Sequence, residues 1–232
     1  MMKVVGIIQA RLGSTRLPNK MLLSLHGKPI IEWVIKRVQE SKLLDDLIVA
    51  IPDNKENDLL EFYCKKYNSK VFRGQEEDVL NRFIGAAKKT KATHIVRICA
   101  DNPLISPKEI DNLISFYKQE KCDYAYNHIP KNNMYPDGLG AEIVSFNLLN
   151  DINNLQLKQS QREHCLSYIT DNPEKFIIKT FNPKEKNLWH PELKFDVDTF
   201  DDLVYLHTIK MNVLSDINEV INNETINFRS DS

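Results

Sequence analysis

A chain of 232 residues can bury roughly 70–75% of its unfolded surface, so it needs no metal or disulfide staple to fold. Hydrophobic residues at 42%, aromatics at 9% and charges at 27% exclude disordered and collagen-like chains. Lys and Arg total 31 against 32 Asp and Glu, a net charge of -1, and this balance gives no reason to expect a nucleic-acid partner.

Cys64, Cys99, Cys122 and Cys165 form no CxxC pair and are expected as buried thiols of a reducing cytosol. The opening MMKVVGIIQARLG turns charged after an apolar run too short for a membrane span and lacks a signal-peptide cleavage pattern. A cytoplasmic protein with no membrane partner is therefore expected.

The first predicted element is a buried parallel strand at Val4 to Ile8, running into a polar loop from Ala10 to Lys20. Pro29 then opens a helix with Ile30, Ile31, Val34, Ile35 and Val38 at helical spacing. A strand at Leu47 to Ile51, a helix near Asn57 to Tyr67, a strand at Lys70 to Phe72, a helix near Val79 to Lys89 and a strand at His94 to Cys99 follow. Such alternation predicts a mainly parallel sheet covered on both faces. Ser106, Pro107 and Glu109 start a capped helix reaching about Gln119, which makes 100–105 a strand-to-helix loop of the kind where ligands of open sheets gather.

The second half reads as mixed. Strands are predicted at Asp123 to Asn127, Ala141 to Phe146, Ile177 to Phe181 and Leu193 to Val197, with a helix at Arg162 to Thr170. Thr199 with Asp202 caps a last long helix, and residues 150–160 and 182–194 read as exposed connections.

The loop Ala10-Arg11-Leu12-Gly13-Ser14-Thr15-Arg16-Leu17-Pro18-Asn19-Lys20 has the composition of a phosphate cradle. Gly13 lets backbone N–H groups turn towards an anion, while Arg11, Arg16 and Lys20 neutralise charge during displacement. It is neither a Walker loop nor a GxGxxG turn, because Gly13 has no second glycine partner and Met21 follows Lys20. Asp101 and Asp198 each follow a predicted strand, and two hard oxygen donors from separate strand ends suit magnesium. An Asx turn at Asp101 and assistance to the next helix by Asp198 remain structural alternatives.

The run IIQARLGSTRLPNKMLLSLHGKPIIEWVI resembles the opening of sugar nucleotidyltransferases of the CMP-KDO synthetase type, in particular their spore-coat-polysaccharide cytidylyltransferase-like branch. FRGQEEDVLNRF, VRICADNPLI, YPDGLGAEIVSF and REHCLSYI follow in that branch's order, so the resemblance spans nearly the whole chain. It implies one nucleotidyltransferase domain over 1–232, with a three-layer α/β/α, glycosyltransferase-A-like sandwich. About 1–122 would be the nucleotide half and about 123–232 the acceptor-binding and dimerisation half. The implied reaction moves CMP from CTP to an acidic or phosphorylated acceptor and releases pyrophosphate, with Mg2+ on Asp101 and Asp198, in surface polysaccharide or capsule synthesis.

By the same resemblance the nucleotide set comprises Ala10, Arg11, Gly13, Ser14, Arg16, Lys20, Arg73, Asp78 and Asp101, with Arg11, Lys20 and Asp101 catalytic. Asp78 also reads as a helix cap. Tyr135, Asp137, Glu142, Arg162 and His164 would form the acceptor wall, and a homodimer is implied. Cys99-Ala100-Asp101-Asn102-Pro103 departs from the GDEP block of KDO synthetases and argues against KDO itself as acceptor. Asn19 stands where many relatives have Gly and tolerates the left-handed backbone such a loop needs. A guanylyl- or uridylyltransferase acting on a sugar 1-phosphate, and a non-catalytic nucleotide-binding module, are the alternatives left open.

Overall fold

The structure, a computed structural model, describes the backbone of residues 2–230 and the side chains of residues 2–223. The first half runs β1 (Val4–Gln9), β2 (Ser24–Leu25), β3 (Lys28–Pro29), α1 (Ile30–Gln39), β4 (Asp46–Pro52), α2 (Asp58–Lys66) and β5 (Lys70–Gly74). It continues with α3 (Val79–Thr90), β6 (His94–Cys99) and α4 (Pro107–Gln119). The second half adds β7 (Tyr124–Tyr126), β8 (Glu142–Ser145), α5 (Phe146–Asn153), α6 (Gln159–Glu163), α7 (Ser167–Asp171), β9 (Ile178–Thr180), α8 (Phe200–Thr208) and α9 (Ile217–Ser230). The main sheet has the order β5-β4-β1-β6-β8-β7-β9. β8 is antiparallel to both neighbours, whereas the other pairings are parallel.

Strand periodicity builds the three layers. Successive side chains of a strand point to opposite faces, so β1 sends Val4 and Ile8 into one core and Val5 and Ile7 into the other. The first core joins the sheet to α1, α2, α4, α8 and α9; the second joins it to α3, α5 and α7. The expected three-layer sandwich with a mainly parallel mixed sheet is what the chain forms. Because β4 and β6 flank β1 on opposite sides, the strand order diverges there, and the crevice beyond the carboxyl ends of β1 and β6 is where such sheets bind ligands.

Four expectations need correction. Leu193 to Val197 is no strand. It is an extended segment joined to residue 137 by a single bridge, although Leu193, Phe195 and Val197 alternate into the core with the period 2 that suggested one. Arg162 to Thr170 is split between α6 and α7. Part of the supposed connection at 150–160 belongs to α5, which begins where the Ser145 hydroxyl accepts from the Leu148 N–H. Thr199 and Asp202 do form a capping box, but for α8, and α9 follows it.

Two features of the second half hold the site in place. Gly138 has φ +87, and a Cβ there would lie 2.9 Å from the Asp196 nitrogen, so only glycine lets the chain pass the 193–198 segment. Arg97 of β6 stands directly opposite Glu142 of β8; its Nη1 donates to that carboxylate, which also accepts from the Tyr124 hydroxyl. Burial alone would raise Glu142, but Arg97, then His128 and the Tyr124 hydroxyl, overcome it and hold the carboxyl down at about 2.

Gly138→Ala is expected to cost about 1–3 kcal/mol through this clash and the strained φ, lowering Tm by roughly 2–4 °C per kcal/mol in calorimetry. An unchanged Tm would refute the close approach. For Glu142 the folded pKa lies below the unfolded value near 4.5, so its stabilisation is complete above that value and is lost as pH falls towards about 2. Tm should therefore drop across this window, and an Arg97→Gln, Glu142→Gln double variant should show a shallower acid limb; identical limbs would contradict the pairing.

Candidate active site

The loop after β1 is folded by its own apolar residues. Leu12 and Leu17 are buried, the Leu12 N–H donates to Asn57 Oδ1 at 3.0 Å, and the Ser14 and Asn19 amides donate to the Leu12 carbonyl at 2.8 and 3.2 Å. Asn19 takes φ 56, the left-handed conformation that turns the chain into a short 3-10 helix at Lys20–Leu22. The backbone amides of Arg11, Gly13, Thr15 and Arg16 have no partner among the described residues. Unengaged N–H groups in a tight loop form an anion-binding concavity.

Lys20, although only 7% exposed, is not a core residue. Its Nζ lies 3.2 Å from Asp101 Oδ2 and 3.3 Å from Asp198 Oδ1. Arg16 closes on the same Asp198 with a two-pronged contact, Nη1 to Oδ2 and Nη2 to Oδ1, both at 3.0 Å. The backbone makes this possible, because the Val197 N–H donates to the Asp101 carbonyl at 2.8 Å and so docks the extended segment beside the loop after β6. The Asp198 and Thr199 amides then donate to Asp202 Oδ2 at 2.9 and 2.7 Å, which fixes the turn into α8.

A cavity of about 280 Å³ opens over these groups, and Ala10, Arg11, Ser14, Arg16, Lys20, Asp101, Asp198 and His164 all line it. Arg11 stands 3.9 Å from Glu76 and 3.6 Å from Glu163, long contacts that leave its guanidinium available to a stronger anion. Gly13 belongs to the same loop but faces Glu76 and is not part of the cavity lining.

Other predicted residues are engaged elsewhere. Arg73 is taken up by Asp58, Glu61 and the Asn54 carbonyl at 2.7, 2.6 and 2.6 Å, so it braces α2 and does not face this cavity. Asp78 caps α3 by accepting from the Asn81 N–H and pairs with Arg162 at 3.0 Å; that pair ties α6 to α3. Tyr135 is wholly enclosed and donates its hydroxyl to Glu109 at 2.5 Å, so it offers nothing to an acceptor. Asp137 lies beside Asp196, whose buried Oδ1 has no partner among the described residues. Burial first, and Asp196 second, push the Asp137 carboxyl up to about 6.

Sequence reasoning missed Arg97. It lines this cavity together with Gln9 and Cys99, and its signal was a lone cation inside the apolar strand HIVRIC. It also lines a second, larger cavity of about 610 Å³, as does His164. Glu142, expected in the acceptor wall, lies in that cavity. All four cysteines are free. Burial pushes the Cys64 and Cys99 thiols up to about 12 and those of Cys122 and Cys165 to about 11, so none is a ready thiolate nucleophile. Cys99, expected in the core, instead borders the smaller cavity.

The site therefore offers unengaged amides, the four cations Arg11, Arg16, Lys20 and Arg97, and a pair of carboxylates beyond the carboxyl ends of β1 and β6, with no ready thiolate among the described residues. That is an arrangement for positioning a polyphosphate and balancing its charge. Among the described residues no helix is long and apolar enough to cross a membrane. Residues 5–223 match the family model described as cytidylyltransferase. The chain is 39% identical over 210 residues to an uncharacterised protein of Methanocaldococcus jannaschii, covering 90% of this chain and 84% of that one. It is 34% identical over 204 residues to the spore coat polysaccharide biosynthesis protein SpsF of Bacillus subtilis, covering 86% and 82%. A solved cytidylyltransferase from Leptospira borgpetersenii superposes with TM-score 0.88 at 28% identity, over 98% of this chain and 95% of that one. Fold, site chemistry and these relatives converge: the chain belongs to the cytidylyltransferase family and is a CTP-dependent nucleotidyltransferase.

Proposed function

We propose that the protein transfers CMP from CTP to an acidic or phosphorylated small molecule, a sugar acid or sugar phosphate, for surface polysaccharide synthesis. The observation that carries this reading is the sharing of the Lys20 ammonium by Asp101 and Asp198 within a cavity that Arg11 and Arg16 also line. An acceptor oxyanion, a phosphate oxygen or a hydroxyl that has already given its proton to water, attacks the α-phosphorus in line, and pyrophosphate leaves with the electron pair of the broken P–O bond. The unengaged amides of the Ala10 to Lys20 loop hold phosphoryl oxygens, and Arg11, Arg16 and Lys20 offset the charge that accumulates on them. No covalent enzyme intermediate is required.

The donor set fits magnesium once substrate is present. Among the described residues no group of three or more His, Cys, Asp or Glu is arranged to hold a metal, yet magnesium is commonly bound through one or two carboxylates plus substrate phosphates and waters. Asp101 and Asp198 would hold it, and it would supply charge neutralisation at the phosphates. Their two negative charges face the two positive charges of Lys20 and Arg16, and a bound nucleotide would draw those cations to its phosphates. A homodimer is part of the proposal. Among the described residues the strand β9 pairs only with β7 and forms an edge of the sheet, beside the exposed Ile177; sedimentation that shows only monomer at high micromolar concentration would remove the dimer.

Lys20→Ala is expected to cost roughly 1.5–3 kcal/mol of CTP binding or transition-state stabilisation, seen as loss of turnover in a folded protein. Normal turnover and CTP affinity would sink the cradle. Asp101→Asn should keep the fold and the cytosine contacts yet lose nearly all transfer, Asp198→Asn should weaken it, and exhaustive chelation should abolish wild-type pyrophosphate release. Near-normal activity of Asp101→Asn, or survival of activity under chelation, would refute the metal-assisted reading. Mass spectrometry of CMP conjugates formed from a panel of acceptors tests the substrate class.

A further inference from the structure

The larger cavity is floored by one row of the sheet. Arg97, Glu142, Tyr126 and Thr180 are successive cross-strand partners on β6, β8, β7 and β9, so their side chains share a face, and all four line the space. The stacked rings of Tyr124 and Tyr126 and the side chains of Ile178 and Leu166 give it an apolar wall. Its cations are Arg97 and Lys131, against the carboxylate Glu142; Lys179 alternates with Ile178 and Thr180, and its Nζ turns instead to Glu120, just past α4, at 2.5 Å. The buried Nδ1 of His128 has no partner among the described residues. The lining therefore favours an anion with an apolar side.

Arg97 occupies the junction. It faces both the larger cavity and the one that holds Lys20 and Asp101. Its Nε donates to Gln9 Oε1 at 3.3 Å and its Nη1 to Glu142, while Nη2 makes no hydrogen bond among the described residues and is not buried without access. A guanidinium fork with one prong fixed and the other open is suited to a carboxylate or phosphate. A buried Arg–Glu pair is weak evidence for a stabilising role, since apolar residues of similar volume commonly do as well. The open prong is what a structural pair leaves unexplained.

We propose that Arg97 is the acceptor clamp: its Nη2 side holds the acidic group of the acceptor at the boundary of the two cavities, so that the attacking oxygen enters the nucleotide site from the larger one. The inference rests on the cytidylyl-transfer reading above and adds the residue that selects an anionic acceptor. Glu142 and Gln9 are positioning residues that orient the guanidinium.

The test uses the full chain loaded with a non-hydrolysable CTP analogue and magnesium, titrated with inorganic phosphate and, separately, with acetate, by protein-observed NMR. Saturable binding of at least one anion with shifts at Arg97 and His164 is expected, and the anion that binds more tightly reports whether the acceptor group is phosphate or carboxylate. Arg97→Gln should weaken it on the order of tenfold or more, a larger loss than the same variant shows in analogue affinity. Because that variant leaves Glu142 buried without its partner, the Arg97→Gln, Glu142→Gln double variant serves where the single one does not fold. Failure of the wild type to bind the analogue would overturn the cytidylyl-transfer reading. Analogue binding with no anion binding, or with anion binding undiminished in the variants, would overturn the clamp alone.

Discussion

The ammonium of Lys20 lies between two carboxylates that are 81 and 178 residues further along the chain, and the loop after β1, the loop after β6 and the segment entering α8 meet at that charge. Each contact is worth roughly 4–5 kcal/mol of attraction at an effective dielectric near 20, much of it offset by desolvation of a lysine that is nearly enclosed. Its value is therefore less in stability than in geometry. Arg16 adds a second cation to Asp198, and the backbone bond from Val197 to Asp101 keeps the two carboxylates in register.

Charge is organised at two levels around this centre. In the smaller cavity opposite charges are balanced and exchangeable, because the partners of Arg11 are distant and those of Lys20 and Arg16 are partly solvated. In the larger cavity the Arg97–Glu142 pair is deeply set and fixed by strand register. In the proposed mechanism the first arrangement takes the nucleotide with its cation, and the second orients the acceptor before it attacks. The sheet supplies both because the strand order switches direction between β1 and β6 while β8 runs antiparallel beside β6.

Much of the smaller cavity's lining was legible in the sequence because it is local. Arg11, Arg16 and Lys20 lie within ten residues of one another on one loop, and Asp101 follows a strand whose limits, His94–Cys99, the periodicity gave without error. Asp198 was legible for a partly mistaken reason: the alternation of Leu193, Phe195 and Val197 reports burial, while the backbone bonds that would make a strand go to residues 101 and 137. Arg73, Asp78 and Arg162 carry the right charges but have nearer partners in Asp58, Glu61 and each other, and such competition is invisible until helices α2, α3 and α6 are packed. Tyr135 and Arg97 show the converse. One lies beside polar motifs yet is sealed in the core, and the other is a cation in an apolar strand whose meaning depends on a cross-strand partner 45 residues away.

We propose that Asp101 and Asp198, which pair with Lys20 and Arg16, pass to a divalent cation only with nucleotide. Electron paramagnetic resonance of Mn2+ in place of Mg2+, titrated into the protein with and without a non-hydrolysable CTP analogue, measures this directly. One Mn2+ per chain should bind on the order of tenfold tighter when the analogue is present, and Asp101→Asn should remove that gain. Equal Mn2+ affinity with and without the analogue, or a gain that survives in Asp101→Asn, would contradict it.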